Sequence, residues 1–112
     1  MKAFTPTPAY TGEIPALIKQ YVHDIDDKAK IWLFGSRARN QAGGDSDWDV
    51  LILTESEKVS HQEEAKFIDH LSTLMVETGQ VIQVMVYSEQ EWNTKYSVIP
   101  LYKSIKRDGL LL

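Results

Sequence analysis

Leu33-Phe34-Gly35-Ser36-Arg37-Ala38-Arg39, followed after six residues by Ser46-Asp47-Trp48-Asp49-Val50, is the stretch on which the reading of this chain turns. The apolar run 31–34 ending at Gly35 has the pattern of a buried strand entering a tight turn, and Ser36 is placed to N-cap a brief helix behind it. Gly43 and Gly44 make 41–46 a loop, and 47–53 returns as a strand. Side chains alternate along a strand, so Asp47 and Asp49 share one face, about 6.5 Å apart along the backbone. Trp48 points the other way, into the core.

Outward from that stretch, the chain alternates helices with short apolar strands. Ile14, Leu17, Ile18, Tyr21 and Val22 recur at helical spacing and predict a helix over 11–24, with Pro15 acceptable in its first turn. The acidic segment 24–27 reads as a solvated loop. The longest helix spans 59–78, with Phe67, Ile68, Leu71, Leu74 and Met75 on its buried face and Gly79 as its stop. A strand follows over 81–87. Ser88 with Glu91 three residues on forms a capping box for a helix running through Trp92. A last helix over 100–108 buries Leu101, Tyr102 and Ile105 and stops at Gly109, leaving 110–112 as an edge strand. The pattern predicts an α+β domain with α/β character, in which helices pack on one small mixed sheet. Residues 1–10, with Pro6 and Pro8, read as an extended N-terminal arm, and 11–112 as a single domain.

Bulk properties narrow the function classes. The chain has 112 residues, 43% hydrophobic and 25% charged, which suits one globular core. It has no cysteine, so disulfides and thiolate metal sites are excluded. No stretch approaches the roughly 20 apolar residues of a membrane span, and a soluble, cytoplasmic protein is expected. A formal net charge of -4 argues against an extended nucleic-acid surface.

The chemistry concentrates at the opening stretch. Two carboxylates on one strand face repel unless a cation neutralises them, and Mg²⁺, with Mn²⁺ as the alternative, accepts oxygen ligands and bridges carboxylates to phosphates. Glycine lets backbone approach a ligand closely, so the Gly35-Ser36 turn is suited to a triphosphate, with Arg37 or Arg39 adding positive charge. A pair of cations about 4 Å apart would then activate a hydroxyl for in-line attack at the α-phosphorus. Taken singly, a Gly-Ser turn or two strand aspartates are ordinary structural features. In this order and at this spacing they carry the functional reading. His23, His61 and His70 have no metal-site spacing and are expected to be exposed helix residues.

Gly-Ser-x-Ala-Arg and then Ser-Asp-x-Asp-Val on a strand resembles the signature of minimal nucleotidyltransferases of the DNA polymerase beta superfamily. The element order over 11–87 and the tail Pro100-Leu101-Tyr102-Lys103-Ser104-Ile105-Lys106-Arg107-Asp108-Gly109 are similar too. The resemblance implies that Gly35 and Ser36 hold a nucleoside triphosphate and that Asp47 and Asp49 are the catalytic metal ligands. It implies transfer of a nucleoside monophosphate, from ATP or another triphosphate, to an acceptor. Small members of this kind are similar to antitoxins that modify helical HEPN-type toxins, so a protein partner of that type, or a homo-oligomer, is expected.

The pattern departs from the family at two positions. Asn40 stands where glycine is common and tolerates the same backbone. Gln83 stands at the best position for the usual third carboxylate. An amide brings no negative charge and cannot act as a base, and neither Asp45, in the glycine loop, nor Glu89, in the capping turn, is well placed to replace it. This sets a second expectation beside the first, a catalytically weak or inactive module of the same fold that acts by binding a partner protein.

Overall fold

In the computed structural model, which describes residues 14–39 and 46–112, the polypeptide is organised by β2 (Trp48–Thr54), at the centre of a four-stranded sheet. Five of its seven residues, Val50 to Thr54, are buried without a break, as expected of a strand covered on both faces. β1 (Lys30–Phe34) runs antiparallel to it on one side, and β3 (Ile82–Ser88) runs parallel to it on the other. The two-residue β4 (Leu110–Leu111) extends β1 antiparallel, giving the order β3-β2-β1-β4. The sheet is therefore mixed and the fold α+β, as the sequence predicts, and the tail forms the expected edge.

The two faces of the sheet carry different cores. One is covered by α1 (Ile14–Ile25) and α2 (His61–Thr78), which bury Ile14, Ile18, Val22, Phe67, Leu71 and Leu74 against Ile31, Leu33, Val50 and Ile52. The other is covered by α3 (Glu89–Thr94) and α4 (Pro100–Asp108), where Trp92 and Ile105 close over Leu51 and Leu53. α2 ends where Gly79 adopts φ 70, a left-handed conformation that favours glycine, and donates its N–H to the Met75 carbonyl. Its start is fixed by Ser60, whose side chain accepts from the Glu63 N–H. Ser88 accepts from the Glu91 N–H in the same way at the start of α3, as the sequence predicts.

The structure corrects the sequence reading in detail. Ile68 is 38% exposed, because it lies about 100° round the helix from Phe67, while Thr78 completes the buried stripe. Leu101 and Tyr102 are half-buried, and only Ile105 of that helix is fully covered. Two of the three histidines are not simple surface residues. His23 Nε2 is 3.0 Å from the Ala29 carbonyl, and His70 joins α2 to α1 by stacking on Tyr21 and meeting Asp24 Oδ2 at 3.0 Å. Alternation patterns do not reveal such side-chain bonds. The predicted 1–10 arm lies outside the described residues.

Truncating the face shared by α1 and α2 is expected to be costly. Leu71→Ala should lower unfolding free energy by about 2–5 kcal/mol in urea titration, whereas Val76→Ala, at 82% exposed, should change it by less than about 0.5 kcal/mol.

Candidate nucleotide and metal site

The candidate site forms where three strand ends meet. The antiparallel register sets Phe34, the last residue of β1, opposite Asp49 near the start of β2, and the parallel register sets Gln83 of β3 beside Asp49 on the other side. Asp49 shares its face with Leu51 and Leu53, so the carboxylates emerge on the α3 and α4 side of the sheet. Trp48, on the opposite face, is 4% exposed and belongs to the core under α1 and α2, as alternation predicts.

Gly35 follows β1 at φ +74 and leaves no room for a side chain, since a Cβ there would collide with the Asp49 carboxylate. Two requirements, a left-handed backbone and close approach to an aspartate, thus select glycine at one position. The residues after it differ from the sequence reading. Gly35–Arg37 is a single 3-10 turn whose cap position is Phe34, and Ser36 caps nothing. The turn is held by the Gly35 carbonyl, which accepts from the N–H groups of Ala38 at 3.1 Å and Arg39 at 3.2 Å. One such turn sums few peptide dipoles, so any anion here is held by local N–H groups and not by a helix macrodipole.

The two arginines part company. Arg37 crosses to the Trp48 side, with its guanidinium 4.1 Å from the ring centroid and with Nε and Nη2 donating to the Ser46 carbonyl at 3.2 and 2.8 Å. These contacts tie the turn after β1 to Ser46 and Trp48, on either side of Asp47. A helical or loop arginine shows nothing in sequence of which face it chooses. Arg39 is exposed, and its charge reaches Asp49, whose pKa it lowers.

Burial is nevertheless the larger influence on Asp49. Together with repulsion from Asp47, it raises the carboxyl above its ordinary value of 3.8. Asp47 is steadied differently, since Gln83 Nε2 donates to its Oδ2 at 2.8 Å. Gln83 therefore lies beside both aspartates. Glu89 is at the far end of the sheet, bonded to Lys30 Nζ at 2.7 Å, and Lys30 pairs with Leu53 and not with Asp49. Asp45 lies outside the described residues. Among the described residues no group of three or more histidines and acids is arranged to hold a metal.

A glycine turn is thus pressed against Asp49 at the start of β2, two residues after Asp47. The family described as "Polymerase beta, Nucleotidyltransferase" matches residues 17–107. The chain belongs to this family. Its α+β fold is accordingly of the nucleotidyltransferase type, and the match runs from α1 to the last turn of α4. No curated protein matches the chain. Members of the polymerase beta nucleotidyltransferase family usually work with a divalent cation and a nucleoside triphosphate. Among the described residues, no helix is long and apolar enough to cross a membrane.

Two outcomes follow from this geometry. Gly35→Ala should destabilise the fold by about 1–3 kcal/mol, through backbone strain and displacement of Asp49, measured by urea unfolding. Because the folded pKa of Asp49 is raised, the native state holds its proton more tightly than the unfolded chain does. Ionised Asp49 therefore subtracts stability above its folded pKa, and that loss is recovered as pH falls through it towards 3.8. Without divalent cation, Asp49→Asn should melt above wild type at pH 7, with the gap narrowing as pH falls through that window.

Proposed function

We propose that this chain is a divalent-cation-dependent nucleotidyltransferase domain, with Asp47 and Asp49 as metal ligands and Gly35 and Ser36 at the triphosphate. The observation that carries the reading is the contact between Gly35 and Asp49, which sets a side-chain-free stretch of backbone against a half-buried carboxylate. A bare backbone beside an acid pair suits phosphates joined to the pair through a cation.

The donor set fits one hard cation. Asp47 and Asp49 supply carboxylate oxygens, and the pKa of Asp49, raised first by burial and then by repulsion from Asp47, marks a charge that a divalent ion would stabilise. Mg²⁺ is the proposed ion, with Mn²⁺ as substitute. When bound, the cation neutralises phosphate charge and polarises the α-phosphoryl group. The protein's own part is positional. Gly35 admits the phosphates, the turn's N–H groups face them, and Arg39 adds charge from the rim. In the transfer, an acceptor hydroxyl oxygen bonds to the α-phosphorus while the bond from that phosphorus to the bridging oxygen breaks, and pyrophosphate leaves. Gln83 cannot accept the hydroxyl proton, which passes to water.

ATP is the proposed donor, and a helical HEPN-type partner protein in the cytoplasm is the proposed acceptor, an extension that rests on the resemblance to small antitoxin-type transferases. One observation favours a second reading, in which the domain binds nucleotide and partner without turnover. Gln83 takes the place of a third acid and spends its amide N–H on Asp47, leaving the pair to hold a single ion.

Incubation with Mg²⁺, α-labelled triphosphates and a candidate partner separates the two. Label on either protein that falls at least a hundredfold in Asp47→Ala and Asp49→Ala supports transfer, and nucleotide binding without label under every condition supports the binding module. Gln83→Asp should raise both metal affinity and transfer about tenfold or more, measured by metal titration and the same labelling. No change in either quantity would mean that position 83 is not where the third ligand belongs.

A further inference from the structure

The sheet order leaves two edges, and they are built differently. β4 is only two residues long, and shortness is one of the ways soluble proteins keep an edge from pairing with another chain. β3 is seven residues long and, among the described residues, pairs only with β2. Its sequence, Ile82-Gln83-Val84-Met85-Val86-Tyr87-Ser88, contains no charge, no proline and no glycine. Its register with β2 is one-to-one from Ile82 to Ser88, so no bulge turns the edge away. The protections an edge strand can carry in itself are thus lacking from β3.

We propose that β3 pairs antiparallel with β3 of a second copy of the chain, joining two four-stranded sheets into one of eight strands. The occupant follows from how the strand reads against its own reverse. A two-fold axis perpendicular to the sheet keeps every side chain on its own face, so residues that face each other across it differ by an even number and the axis passes through a residue. Overlap is greatest with Met85 on the axis. Val84 then meets Val86, Gln83 meets Tyr87 and Ile82 meets Ser88, so no like charges are opposed and a β-branched pair continues the face packed by α1 and α2. Met85, flexible and half-buried, meets itself.

The pairing bears on the candidate site without depending on its chemistry. Gln83, which holds Asp47, lies on the paired strand, so Tyr87 of the partner subunit arrives at the strand position opposite it. The two aspartate pairs open on the same face of the joint sheet, about 20 Å apart by strand spacing and rise.

Sedimentation equilibrium of the intact chain from about 5 to 100 µM should give a dimer, and a monomer throughout would overturn the proposal. The chain has no cysteine, so Met85→Cys introduces a single reporter. Directly opposed residues in an antiparallel pair lie within disulfide reach, and mild oxidation should convert most of this variant to a covalent dimer. Lys66→Cys, exposed on α2, should not cross-link. A dimer that cross-links through position 66 and not 85 places the interface elsewhere and overturns the pairing. So does a monomer whose β3 amides resist hydrogen exchange, which would assign the edge to another occupant. Met85→Lys should raise the dimer dissociation constant at least tenfold with an unchanged circular dichroism spectrum. If that variant fails to fold, sedimentation of the wild type and the cysteine pair decide the matter.

Discussion

The contact between Gly35 and the carboxylate of Asp49 depends on the antiparallel register of β1 and β2, and most of the rest of the molecule maintains that register. Leu33 with Val50, and Ile31 with Ile52, are buried pairs under α1 and α2, so slipping one strand by a single residue would turn that strand's apolar row to the other face. With the register fixed, Phe34 is opposite Asp49 and the next residue must leave the strand beside a carboxylate. Glycine meets the steric demand and the positive φ together. The helical layers hold the sheet, the sheet holds the strand ends, and the strand ends hold the site.

The acidic pair works against the stability of the fold that carries it. Asp49 is partly buried beside Asp47, and both effects disfavour its charge. Gln83 offsets part of this by donating to Asp47, a bond that an aspartate at the same position would replace with repulsion. The glutamine thus eases repulsion between the side chains while bringing no third carboxylate. In the proposed reading, two carboxylates beside a glutamine suit one cation with a nucleotide better than a two-cation centre.

Much of this was legible in the sequence because the signals were local. The boundaries of α4, the Ser88 cap, the Gly79 stop and the inward face of Trp48 all follow from spacing, capping chemistry and alternation. What was not legible depended on side-chain direction. Arg37 and Arg39 differ by two positions in a turn, and only the fold shows that one stacks on Trp48 while the charge of the other reaches Asp49. A serine after a strand often caps a helix, yet Ser36 lies inside the turn, whose cap position is Phe34. The place of Gln83 was inferred from family order, but its bond to Asp47 required two strands in register.

Central to this account is a single nucleotide-linked cation on Asp47 and Asp49. Electron paramagnetic resonance of Mn²⁺, titrated into the protein with an ATP analogue whose α–β bridge cannot be cleaved, measures that directly. One bound Mn²⁺ per chain, seen only with nucleotide and lost in Asp49→Asn, is the predicted result. Two bound ions per chain, or binding that survives Asp49→Asn, would contradict it.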